Sequence, residues 1–537
     1  MAQEASSNAR RNLLVGVFLL AGLVGINALA LYIGKLTLMN LIVGVGIMAA
    51  LFTGASRVMG RVKSLPMSFI QHFSGVLFVF SGWVKAADPL GTAFKMEQYF
   101  AEFETTFADT GMSFLAPIFP WFSSFSIGFS VFMIVLEIAL GIALIAGWRL
   151  KLTSWLFAGI IFFFTFLTGF TYLTGYVPEG VNFFAFGQWG DWVETNMKVT
   201  DCGCFGDFLV LKPYTSFMKD IFLLVPAIAF LVARPKMHEL FTPTRRSIAV
   251  GGAVLVSLWY CLSNFMWDIP GQDFRPFRVG TDIAATKQAE MDAAANVQLM
   301  GYHIVDKESE EVVAELSVDE FIDRYTEFPQ DQFEYVQLKT EPEIEATKIS
   351  DFELQDARGD DRTEQLLGFD GNIFTIVAYK IKGEQTGERT VYDTTQQMVV
   401  DTVAAQSEDL LVMDTTYTDQ ITERQEPIYS FDASYVQKWR DNILPLISEA
   451  REAGHQAIVL TAFAEDEKLR AFAREIGAEN LTFLRGDDIM LKTIVRSNPG
   501  LVLLQKGKIL GKYHYRQLPS FPDLANEHGF TVLAEEG

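Results

Sequence analysis

Asp201-Cys202-Gly203-Cys204-Phe205-Gly206-Asp207 holds two of the three cysteines in a chain of 537 residues. Two thiols separated by one residue can exchange with another disulfide, lock a loop by closing on each other, or offer sulfur to a metal. Exchange requires a thiolate, an accessible sulfur and a partner. A ring closed over so few atoms is strained, and a strained disulfide is easily reduced. Gly203 and Gly206 permit backbone conformations that a β-carbon forbids, which sulfurs this close in sequence need if they are to face each other. Asp201 and Asp207 raise a thiol's pKa wherever they come near it. Two sulfurs are too few for a structural zinc site unless acids complete it, so no metal is expected.

Such a pair has to be held in one compartment and at one depth, and the charge distribution shows how. Residues 1–267 carry 17 Lys and Arg against 14 Asp and Glu, whereas residues 268–537 carry 26 against 51. A near-neutral apolar half is therefore joined to a strongly acidic soluble half. The acidity argues against nucleic acid and against flat docking on an anionic leaflet.

Windows of about 20 apolar residues span a bilayer as helices. Seven are predicted, at 13–33, 38–55, 67–86, 125–147, 152–175, 215–233 and 247–266. Lys and Arg concentrate in alternate connections, from Arg10 and Arg11 through Arg57, Arg61 and Lys63, then Arg149 and Lys151, then Arg234 to Arg246. That places the N-terminus in the cytoplasm and the Cys202/Cys204 loop, with the acidic half, outside. The first window is read as a signal anchor, its apolar run being too long for a cleaved leader. Disulfides persist in an outer compartment, yet the acidic half contains no cysteine.

Four residues inside the windows call for explanation. Glu137 sits mid-span, where a carboxylate is costly; it is either functional or a protonated partner of a neighbouring helix. Lys85 ends the third window and is expected to snorkel outward. His72 is expected to be a satisfied structural histidine, and Cys261 a small buried hydrophobe.

Phe78-Val79-Phe80-Ser81-Gly82-Trp83-Val84-Lys85, followed by Asp88-Pro89, resembles the opening of the DoxX family of small membrane bundles. Glu137-Ile138-Ala139-Leu140-Gly141 and Gly147-Trp148-Arg149 resemble that family's second helix, and Cys202-Gly203-Cys204-Phe205-Gly206 is similar to the motif of its MauE-like branch. The resemblance covers about residues 65–235. It implies a four-helix core from windows three to six and an association with periplasmic disulfide chemistry.

In the acidic half, a small α+β linker module is predicted over 268–348. Beyond it, Ile373–Tyr379, Ala457–Leu460, Leu481–Leu484, Leu501–Leu504 and Ile509–Tyr513 read as strands separated by helices, with a polar insertion near 383–430. The order β-α-β-α-β-α-β-β-α resembles the thioredoxin-like fold, and Pro499 matches the place of that fold's cis-proline. Where that fold carries C-x-x-C, this chain reads Lys380-Ile381-Lys382-Gly383. Without sulfur the domain performs no thiol exchange and is expected to bind or position a partner.

The predicted architecture is thus a multi-pass helical membrane bundle of about seven spans followed by a soluble thioredoxin-like α/β domain. Its parts are a two-span addition (1–60), the bundle with its outer Cys-x-Cys loop (61–267), the linker (268–348) and the soluble domain (349–537). The functional expectation is thiol–disulfide electron transfer at a bacterial inner membrane through Cys202 and Cys204. A periplasmic thiol protein would be the partner, a quinone the acceptor, and Glu137 would move protons. The competing expectation is an accessory subunit of an envelope membrane complex, in which the cysteines only lock a loop.

Overall fold

The computed structural model describes residues 38–530 except 109, 200–202, 308, 310 and 405–410, and gives only the backbone for 393–404, 411–418 and 420. Cys202, Asp201 and the predicted span 13–33 lie outside the described residues. Among the described residues, six helices are long and apolar enough to cross a membrane, and the chain is a multi-pass membrane protein. They are α1 (Leu38–Val58), α2 (Leu65–Ala87), α4 (Ser126–Ala146), α5 (Leu150–Leu173), α6 (Pro213–Val232) and α7 (Pro243–Leu262); between α2 and α4 lies α3 (Pro89–Ala108). They match the six remaining predicted windows. Their starts fall earlier where a proline stands in the first turn, as in α2, α6 and α7, a position that proline's fixed φ favours.

The apolar core of this half runs through Val76, Phe78, Phe80, Leu140, Leu144, Phe157, Leu223 and Phe230. The segment between α2 and α4 is largely helical. Tyr99 and Phe103 of α3 are buried with Phe170 of α5, and the short helix Ile118–Ser124 follows.

The chain divides into two compact units at Arg275/Pro276. The second begins with α8 (Ile283–Ala295) and a three-stranded antiparallel sheet, order β2-β1-β3, made of β1 (Leu299–Asp306), β2 (Val312–Ser317) and β3 (Phe333–Lys339). Ser317 and Glu320 form a reciprocal capping box at the helix Val318–Arg324, satisfying end donors that would otherwise be orphaned.

A five-stranded sheet of order β10-β9-β4-β7-β8 follows, with β4 (Asn372–Val377), β7 (Gln456–Ala462), β8 (Thr482–Gly486), β9 (Gly500–Gln505) and β10 (Lys508–His514). β4, β7 and β8 run parallel, while β9 and β10 close the sheet as an antiparallel hairpin. Every residue of β4 is buried, as a strand covered on both faces must be. On one face, Trp439, at 0% exposure, packs against Phe472 of the helix Asp466–Ile476. The Asn498–Pro499 peptide is cis.

The predicted insertion is a ribbon of two long strands, β5 (Gly383–Ala404) and β6 (Leu411–Phe431), which among the described strands pair only with each other. It is rooted on the sheet's helices by Phe431 against Phe472 and by the Tyr429 hydroxyl, which donates to Glu465 at 2.6 Å.

Candidate functional site

Glycines let α2 and α4 meet almost backbone to backbone. A β-carbon on Gly141 would lie 2.7 Å from the Gly75 carbonyl oxygen and 2.8 Å from the Val79 nitrogen. One on Gly82 would lie 2.5 Å from Ile138 Cγ1. Small residues at a helix crossing allow this approach. It brings Lys85 Nζ to 2.6 Å from Glu137 Oε2, both side chains being nearly inaccessible.

Lys85 therefore does not snorkel as expected. The end of α2 is covered by protein, Lys85, Ala86 and Ala87 all being buried, and α3 begins directly after it. The ammonium also donates to Ser81 Oγ at 3.2 Å and lies 4.9 Å from the centre of the Phe164 ring.

Ser81 carries this arrangement to the cysteine loop, where its hydroxyl donates to the Cys204 carbonyl at 3.0 Å. Gly203 and Gly206 have φ of 59° and 51°, the left-handed region that glycine enters without cost. Between them Phe205 is buried and packs with Phe80, while Phe208 sets its ring edge on Phe80 at 5.6 Å. Phe274, beyond α7, covers Phe208 and Trp83 at 4.9 and 6.3 Å.

A second ion pair stands across the cysteine. Lys219 Nζ is 2.5 Å from Asp220 Oδ1, Asp220 is fully buried, and Thr168 Oγ1 lies 3.1 Å from Asp220 Oδ2. Sequence reasoning found Glu137 as the only deep acid and missed this one. The available signal was Pro213: as the first helical residue it places Asp220 about two turns inside α6.

Two small cavities meet at Cys204. One of about 20 Å³ is lined by Ser81, Lys85, Glu137, Cys204, Lys219 and Asp220. The other, about 50 Å³, shares Lys85, Glu137 and Cys204 and is otherwise walled mainly by Tyr99, Met133, Phe163 and Leu167. The first has room for one water among several polar partners. A cavity of roughly 150 Å³ is what a benzene-sized ring occupies, so neither admits one. Burial pushes the Cys204 thiol above its ordinary pKa; the Lys219 ammonium opposes this, and Asp220 and Glu137 add to it.

The structure thus brings Glu137, Cys204, Gly203 and Gly206 together. Pro499 belongs to the other unit. Cys261 is buried among Ala86, Val131 and Ile134. His72 is satisfied by Thr53 at 3.0 Å and stacks on His238 at 4.2 Å. His238, between α6 and α7, has its pKa lowered to about 4, chiefly by burial. Among the described residues no cluster of three or more His, Cys, Asp or Glu is arranged to hold a metal. No protein-family model, curated protein or solved structure matches the chain.

Proposed function

We propose that Cys202 and Cys204 form a dithiol–disulfide couple that carries electrons between thiols of an outer-side protein and the inner membrane. The observation that supports this is the sharing of one water-sized cavity by Cys204 and two buried lysine–carboxylate pairs. Two cations and two anions cancel, so the site is neutral while the cysteine is a thiol. A thiolate adds an uncompensated charge in a low-dielectric setting, and that favours a matching proton on a carboxylate. Electron transfer is then tied to proton uptake, with Glu137 as the acceptor next to Lys85.

Two steps complete the cycle. A partner dithiol reduces the Cys202–Cys204 disulfide by exchange, leaving the partner oxidised and both cysteines as thiols. A membrane quinone then takes two electrons and two protons from those thiols, becoming the quinol and restoring the disulfide. The cavities are too small for the quinone ring, so on this reading it meets the cysteines at the loop, and the cavities serve water and protons. The similarity of residues 65–235 to DoxX and MauE-like bundles points the same way, as does placing the loop and the acidic half in the periplasm.

One observation favours the accessory-subunit reading. The β5–β6 ribbon pairs with no other described strand, and an isolated two-stranded ribbon is marginal in water. Alkylation of intact cells with a membrane-impermeant maleimide, with and without prior reduction, separates the readings. Electron transfer predicts that Cys202 and Cys204 become more oxidised when quinone is in excess and more reduced when respiration is blocked. A fixed redox state under both conditions overturns it, and so does labelling that requires permeabilised cells.

A further inference from the structure

Among the described residues, α1 is covered along one side. Leu41, Val45, Met48 and Phe52 belong to the apolar core, and Thr53 and Ser56 reach His72 of α2 at 3.0 and 3.4 Å. The opposite side carries Val43, Ile47, Ala50 and Gly54, and all four are exposed. Their spacing of four, three and four residues is that of a seam between two packed helices. A β-carbon at Gly46 or Gly54 would meet nothing within 4 Å, whereas one at Gly75 or Gly141 would press on a neighbouring helix.

The predicted span 13–33, outside the described residues, is tethered directly to this helix. Only Gly34-Lys35-Leu36-Thr37 separates Ile33 from Leu38, the first residue of α1. Gly and Thr are residue types that stop one helix and cap the start of the next. A connection of four residues is of the length that joins antiparallel neighbours in bundles. The tether therefore presents the span to α1 at an effective concentration that a separate chain does not reach.

As a helix, that segment gathers Val17, Ala21, Val24, Gly25 and Ala28 on one face, with Leu19, Leu23 and Ile26 on the other. Counting equal lengths from the tether sets the first face level with the exposed side of α1. Ala28 falls beside Val43, Gly25 beside Gly46, Val24 beside Ile47, Ala21 beside Ala50 and Val17 beside Gly54. Narrow residues meet wider ones at both ends, with two alanines between. Close approach of backbones at small residues is a principal source of helix association in lipid, where burial of apolar surface gives none. The same register sets Arg10 and Arg11 on the side of Arg57 and Arg61, as the alternation of cations along the chain requires.

We infer that the face of α1 formed by Val43, Gly46, Ile47, Ala50 and Gly54 is the docking surface for residues 13–33 of the same chain, packed antiparallel in this register. The segment is then an integral part of the bundle, clamping α1 from the side opposite α2, rather than an anchor that touches only lipid. The inference goes beyond the thiol reading and does not depend on it.

The test uses the full chain in membranes, with Cys202, Cys204 and Cys261 replaced by Ser so that only introduced thiols are read. Ala21→Cys with Ala50→Cys, and separately Gly25→Cys with Gly46→Cys, are oxidised with copper phenanthroline, alkylated with a maleimide and weighed intact. A disulfide needs Cα atoms within about 7 Å, so each pair is expected to lose both adducts within one chain. Leu23→Cys with Ala50→Cys, on the far face of the segment, should keep both. In the otherwise native chain, Ala50→Leu should lower the thermal midpoint by at least about 2 °C through overpacking of the seam, whereas a position facing lipid would tolerate it. Retention of the adducts in both same-depth pairs, equal cross-linking of the Leu23 pair, or an unchanged midpoint for Ala50→Leu overturns the inference. Disulfides that join two chains also overturn it, in favour of a second copy on this face.

Discussion

Replacing Glu137 by Gln leaves the Lys85 ammonium buried without its counter-charge, and replacing Lys85 by Met leaves the carboxylate so. At 2.6 Å, Coulomb attraction is worth about 6 kcal/mol with an effective dielectric constant near 20. Desolvation of the two ions offsets most of that gain. It does not offset the loss of one partner, which typically costs about 3–5 kcal/mol. Each single variant is therefore expected to lose about 3 kcal/mol or more of stability. The double variant Lys85→Met, Glu137→Gln should lie within about 1 kcal/mol of the native chain, because a neutral, packed replacement of a buried pair is often tolerated. The assay is unfolding of the full chain in mixed micelles, followed by tryptophan fluorescence, as a double-mutant cycle. A coupling of at least about 3 kcal/mol is expected. Singles that cost under about 1 kcal/mol, or a double variant equal to the sum of the singles within about 0.5 kcal/mol, would refute the burial argument and with it the neutral cavity.

Gly141→Ala places a β-carbon 2.7 Å from the Gly75 carbonyl oxygen; it should cost about 1–3 kcal/mol in the same assay, and Gly128→Ala, in open space, should not. Removing the Lys219 charge with Met should raise the Cys204 pKa further and slow its alkylation at pH 8 by roughly three- to tenfold, while Asp220→Asn should speed it; rates that move together refute the assignment. His238 is folded with a pKa of about 4 against 6.5 unfolded, so the unfolded chain binds the extra proton between those values. Its contribution is intact above pH 6.5 and is lost as pH falls toward 4, by about 2 kcal/mol between pH 7 and 5; His238→Gln should flatten that part of the stability–pH curve. Deleting residues 386–428 and joining Gln385 to Tyr429 through Asn-Gly should leave the thermal midpoint of the second unit within about 2 °C, since the sheet takes no strand from the ribbon; a large drop would show that the ribbon supports the fold.

The six described spans were legible because a bilayer demands long apolar helices whatever their neighbours. The β-α-β order of the second unit was legible for a similar reason: buried strands such as Ile373–Val377 are apolar at every position but one, Thr375. The ribbon was visible only as polar sequence. A two-stranded element that pairs with no other described strand has little reason to alternate apolar and polar residues, and periodicity therefore gives no strand signal. Lys85 was misread because hydropathy treats each window alone, and its partner lies 52 residues away on another helix. The glycines that bring the two together look ordinary in a membrane helix; only their facing positions across α2 and α4 give them meaning.

The same distinction bears on what the cysteine can do. A single lysine beside a thiol would lower its pKa and make a standing nucleophile. Here each lysine is matched by a carboxylate, at 2.6 and 2.5 Å, so the burial that raises the Cys204 pKa is not offset by a free positive charge. The resting site is thus built against a permanent thiolate. On the proposed thiol–disulfide function, reactivity at such a site does not come from a fixed positive field. Neutralising either carboxylate should free its lysine to stabilise sulfur, whereas removing either lysine should suppress the thiolate still further.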